Sequence, residues 1–148
     1  YRVTAPLPGT PKHILNNVSG GVGMAPDDAS LAFIRQDSTR GESALIIVNA
    51  DGTGERKLAT RRSPNSFTSE NPAWSPDGSL IACSAINYSP LFHEELVGVR
   101  VKDGTQQHIS SGPWPYIRGA AWLFDGTGLL VTARRFKQSP EKHLKRRP

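Results

Sequence analysis

The chain has 148 residues, enough for one domain with a real core, and 26 of them are Gly or Pro. These stand between short apolar runs as turn formers, so the composition excludes a disordered chain. Formal net charge is +5, but residues 134–148 hold seven Lys or Arg against one Glu, which excludes a uniformly basic body.

No run of 18 apolar residues occurs, so no membrane-spanning helix is expected. The single cysteine, Cys83, excludes an intrachain disulfide. It fits a reducing compartment and an exported protein equally, so a periplasmic and a cytoplasmic location both stay open. Tyr1 opens the chain without a Met or a leader pattern. This reads as an excerpt or a processed product.

In chain order, strands are predicted near 12–15, 22–25, 30–35, 44–49, 55–59, 71–74, 79–84, 95–101, 106–109, 118–122 and 128–133. Each run is short, rich in Val, Ile and Leu, and bounded by Pro-Asp, Asp-Gly, Gly-Thr or Ser-Pro. No window carries a sustained helical period, so the class is all-β. Leu45-Ile46-Ile47-Val48 is apolar at consecutive positions, which suits a strand covered on both faces.

The segments repeat. Met24–Phe33, Trp74–Cys83 and Trp122–Val131 align without gaps. A large apolar residue opens each copy, and Asp27, Asp77 or Asp125 follows three positions later. Between them lies a second module, Asp51-Gly52-Thr53 and Asp103-Gly104-Thr105, with a partial copy at Gly9-Thr10. Two modules alternating at one period indicate a repeat architecture. Ser75-Pro76-Asp77-Gly78 suits a type I turn: Pro76 sets φ, and Gly78 takes the left-handed conformation. Asp28 replaces that glycine in the first copy, where positive φ is again expected. The aspartates are read as bonding their own turn backbone. Met24, Trp74 and Trp122 are read as packing between units, with each buried indole needing an acceptor.

The stretch Asn71–Ala82, NPAWSPDGSLIA, resembles the repeat of TolB-type, or WD-like, β-propellers. Val101–Ser110 and Asn49–Leu58 look like the outer half of that repeat. The resemblance covers about residues 9–133, or two and a half repeats. Trp74, Pro76, Asp77, Gly78, Trp122, Asp125 and Gly126 hold the structural repeat positions, and Phe124 departs from the pattern where Pro76 has its counterpart. The resemblance implies a partial β-propeller of four-stranded antiparallel blades, an excerpt of a six- or seven-bladed ring. The expected division is an outer strand at 9–15, blades at 18–60 and 67–110, a half blade at 117–133, and a basic tail or linker at 134–148. The missing blades would come from the same chain or another copy. Such propellers serve mostly as binding platforms, in the periplasm or attached to kinases, regulators or prolyl-oligopeptidase-like peptidases.

No catalytic pattern stands out. The chain lacks a Gly-x-Ser-x-Gly elbow, a phosphate-binding loop and a two-histidine helical zinc motif. His93-Glu94-Glu95 reads as a loop cluster. No catalytic residue, cofactor or metal ligand is assigned. Where the repeats differ, two stretches carry bulky side chains in expected loops: Tyr88, Leu91 and Phe92 in one, Trp114, Tyr116 and Arg118 in the other. These six are the candidate contact residues for a protein partner, since aromatic and Arg anchors dominate interfaces. The basic tail offers an alternative: phosphate or anionic-surface contact by charge alone. The function expected is a non-catalytic scaffold binding a protein or small ligand. The non-catalytic propeller portion of a larger serine peptidase is the second reading.

Overall fold

The computed structural model describes residues 10–88, 92–110, 114 and 116–134. These residues contain eleven β-strands and no helix. Strands β1 (Val22–Met24), β2 (Ser30–Asp37), β3 (Glu42–Asn49) and β4 (Arg56–Arg62) form one antiparallel sheet in chain order. In the second sheet, β5 (Ser66–Phe67) and β6 (Ala73–Trp74) share one edge of β7 (Leu80–Asn87), followed by β8 (His93–Arg100) and β9 (Gln106–Ser110). A hairpin of β10 (Tyr116–Trp122) and β11 (Leu129–Arg134) completes the described chain. This is an all-β, partial β-propeller.

The turns follow from their composition. Asp28, Gly78 and Gly126 all have positive φ, at 57°, 70° and 73°. Asp27 accepts the N–H of Ala29 at 2.9 Å, Asp77 that of Ser79 at 3.1 Å, and Asp125 that of Thr127 at 3.0 Å. Asp51 and Asp103 do the same for Thr53 and Thr105. Each carboxylate satisfies a donor that the hairpin cannot pair internally, which is why a short polar side chain recurs there.

The apolar runs are explained by cover on both faces. Ala32, Ile34, Leu45, Ile47 and Ala59 of the first sheet pack with Phe67, Ile81, Cys83, Ala85, Val97 and Val99 of the second. The alternate residues Leu31, Phe33, Ala44, Ile46 and Val48 form a second cluster against Ile14, Leu15 and Val18. Strand alternation thus sends neighbouring side chains into two different cores.

The joints between sheets repeat as the sequence does. Trp74 Nε1 donates to Gly23 O at 3.2 Å, and Trp122 Nε1 donates to Ala73 O at 3.0 Å. A Cβ on Gly52 would lie 2.3 Å from Ile14 O, and one on Gly104 would lie 2.1 Å from Leu58 O. Only glycine permits that approach. Ile14 therefore stands to the first sheet as Leu58, on an outer strand, stands to the second.

Four details differ from the sequence reading. The strand expected at 12–15 holds only a single bridge residue, Lys12. The segment lies over the first sheet without forming a ladder. Strand β5 was not anticipated; two residues are too few to show a period. His93-Glu94-Glu95 is the start of β8 rather than a loop. Arg134 closes β11 rather than opening a tail, and residues 135–148 lie outside the described residues.

Candidate interaction rim

The end of β7, the start of β8 and the start of β10 meet at one end of the second sheet. Tyr88 follows β7, and its N–H is held by Asn65 Oδ1 at 3.1 Å. Phe92 precedes β8. Their rings meet edge to face at 5.4 Å between centroids. Phe92 lies 6.3 Å from Tyr116 on β10, and the Arg118 guanidinium sits 5.7 Å over the Tyr116 ring. Tyr116 and Arg118, expected in a loop, lie on strand β10, and with Tyr88 and Phe92 of the β7–β8 connection they form one patch. Tyr88, Phe92 and Tyr116 are 49%, 41% and 39% exposed, which is high for clustered aromatic rings. Arg118 also lies 3.9 Å from Glu70. Trp114 is half-buried, and its carbonyl accepts the Glu94 N–H at 3.3 Å. Leu91 lies outside the described residues.

Beneath the patch stand two consecutive buried glutamates. Glu94 turns towards β10, where its Oε2 accepts the Ile117 N–H at 2.5 Å. Burial raises the Glu94 carboxyl above its ordinary value. The Ile117 N–H lowers it, Glu70 raises it and Arg118 lowers it. Glu95 turns to the opposite face and meets Arg61 of the first sheet at 3.1 Å. His108 lies 3.9 Å from its other oxygen. Arg61 also donates to Gln106 Oε1 at 3.0 Å and covers the Phe67 ring at 5.4 Å. The sequence reading missed both glutamates as joint residues. Their one clue was a pair of adjacent acids directly before the apolar run Leu96–Val99.

The repeat positions lie at the opposite ends of these strands and act in the turns and joints. Asp77 is held down to about 2 by the Ser75 hydroxyl, then by the N–H and hydroxyl of Ser79. A carboxylate bound this way within its own turn is a structural group. Burial pushes the Cys83 thiol up to about 12, with Arg61 opposing weakly, so it packs as an apolar side chain rather than a nucleophile. Among the described residues no group of three or more His, Cys, Asp or Glu could hold a metal ion. No helix there is long and apolar enough to cross a membrane.

Two cavities flank the inner strands. One, of about 590 Å³, lies between the first two sheets and is lined by Asp27, Asn49, Arg56, Trp74 and Asp77. The other, of about 570 Å³, is lined by Met24, Asn71, Trp74, Trp122 and Phe124. The two indole N–H groups are already committed to backbone carbonyls, so the tryptophans offer the second cavity only carbon surface.

No protein-family model and no curated protein sequence matches the chain. Solved structures do. TolB from Acinetobacter baumannii superposes over 81% of this chain and 28% of its own, at 12% identity and a TM-score of 0.61. An oligogalacturonate lyase solved in complex with manganese covers 82% of this chain and 31% of its own, at 21% identity and a TM-score of 0.61. The β-propeller domain of the Trilobed protease from Pyrococcus furiosus covers 76% and 32%, at 19% identity and a TM-score of 0.54. The chain therefore spans about a third or less of the length of these structures. Identities this low speak to the fold, and the fold they share is the propeller.

Proposed function

The chain is a partial β-propeller of TolB-like fold, and from that premise we propose that it is a non-catalytic binding scaffold whose contact surface is the Tyr88–Phe92–Tyr116–Arg118 rim. The observation that carries this reading is the convergence of three exposed aromatic rings and one guanidinium from the β7–β8 connection and the start of β10. Rigid rings bind at little entropic cost because few torsions are frozen, and an Arg stacked on a ring keeps donors free for a carboxylate or carbonyl. The occupant that fits is a peptide segment offering a proline or aliphatic side chain to the rings and an anionic group to Arg118.

The test is a peptide array probed with the whole chain, followed by the Tyr88→Ala/Tyr116→Ala/Arg118→Ala variant. Peptides pairing an apolar with an acidic residue should be selected, and the variant should bind them at least tenfold more weakly at an unchanged Tm. Equal binding by the variant would dismiss the rim.

A second reading is that the chain belongs to the non-catalytic propeller of a larger peptidase. The likeness to the Trilobed protease propeller domain favours it. A hydrolase domain in the same native polypeptide would decide for it.

A further inference from the structure

The rim depends on how firmly β10 is seated, and one residue holds both ends of the segment that leads into it. Glu94 donates its backbone N–H to Trp114 O at 3.3 Å and accepts the Ile117 N–H on its carboxylate at 2.5 Å. Glu94 is only 5% exposed and Ile117 2%. Tyr116 and Arg118 flank Ile117 on either side, so their position beside Phe92 follows from where that N–H is held. We propose that Glu94 is the positioning residue of the rim, and that protonation of its carboxyl tightens the seat of Tyr116 and Arg118. This rests on the rim being the contact surface only for its functional meaning; the positioning itself stands alone.

The electrostatic setting gives the sign. Glu95, its neighbour on β8, has a guanidinium opposite it on the first sheet. Glu94 has a backbone N–H as its nearest partner. Among the described residues, the charged groups facing it from packed elements are Glu70, ahead of β6, and Arg118 on β10, and these two oppose one another. Strand β7 brings no charged side chain. On its own strand, Glu95 points to the other face, and His93 precedes it. An ionised Glu94 regains solvation whenever β10 lifts away, so ionisation favours lifting. The neutral acid has less to regain, and its carbonyl oxygen still accepts the Ile117 N–H. A more acidic surrounding should therefore make the rim more rigid.

Hydrogen exchange of the Ile117 amide reads that bond directly. In the wild-type chain its protection factor, corrected for intrinsic exchange, should rise severalfold as pH falls from 8 to 4. Glu94→Gln keeps an accepting oxygen and removes the charge. It should show strong protection with no pH step. Glu94→Ala should lower protection at least tenfold at either pH, while amides of β2 and β3 stay unchanged. A pH step that persists in Glu94→Gln overturns the protonation claim, and unchanged Ile117 protection in Glu94→Ala overturns the positioning. Should both exchange results hold while peptide binding ignores the Tyr88/Tyr116/Arg118 substitutions, the positioning stands and the rim's role as contact surface falls.

Discussion

The two joints of this molecule use the same backbone device and different side chains. Between the first and second sheets, Ile34, Leu45, Ile47 and Phe67 fill the space, and Glu95 meets a guanidinium. Between the second sheet and the β10–β11 hairpin, Ile117 is the one strand residue of the hairpin that is buried, and Glu94 meets its backbone N–H. Leu130 and Phe124 on the hairpin are 66% and 99% exposed. The indole-to-carbonyl bond is present in both. That bond sets the register of a joint, whereas its strength comes from how much apolar surface the sheets remove from water. The lesson is that one repeat motif can specify geometry at every joint while leaving affinity to residues outside the motif.

Substitutions can break this contrast. The largest effect is expected from Phe67→Ala, because the Phe67 ring is fully buried in the core between the first two sheets. It should cost about 3–5 kcal/mol in chemical denaturation. A loss below about 1 kcal/mol would mean that the first joint is not the stronger one. Next is Arg61→Ala, which strands the Glu95 carboxylate and uncovers Phe67; about 2–3 kcal/mol is expected after allowing for partial solvent access. Adding Glu95→Gln should restore much of that loss. In the second joint, Trp122→Phe removes the N–H that Ala73 O accepts and should cost about 1 kcal/mol.

The pH dependence sharpens the comparison further. The Glu94 carboxyl is raised in the folded state, so its protonation binds more tightly there than in the unfolded chain. Its stabilisation is fully present below the ordinary carboxyl value and is lost as pH rises through the raised one. Wild type minus Glu94→Gln, compared by Tm across pH 4–8, should therefore show wild type losing ground as pH rises. The opposite slope would contradict the assignment. The smallest effect belongs to Phe124→Ser, within about 0.5 kcal/mol, since its side chain is almost wholly in water. A Tm shift of several degrees there would reveal cover on that face.

Much of the scaffold was legible in the residues. The Asp turns, the positive φ of Asp28 and the two-sided burial of Leu45–Val48 follow from local chemistry and period, which act over a few neighbours. The rim was half legible. Bulky side chains in expected loops marked Tyr88, Phe92, Tyr116 and Arg118, but their meeting is a tertiary event across more than twenty residues of chain. Glu94 and Glu95 were hidden for a related reason. Two adjacent acids look solvated, and only cover on both faces of β8 makes each of them face a different neighbour. Strand β5 escaped because its two residues are defined by β7 and by Ser43, not by their own pattern.

Both repeat indoles, Trp74 and Trp122, reach back to the unit before their own, at Gly23 and Ala73. Such a joint has a donor side and an acceptor side, and the acceptor is main chain, which any residue supplies. A further unit added in tandem can therefore use the same acceptor geometry, while the strength of its joint depends on the apolar residues it brings.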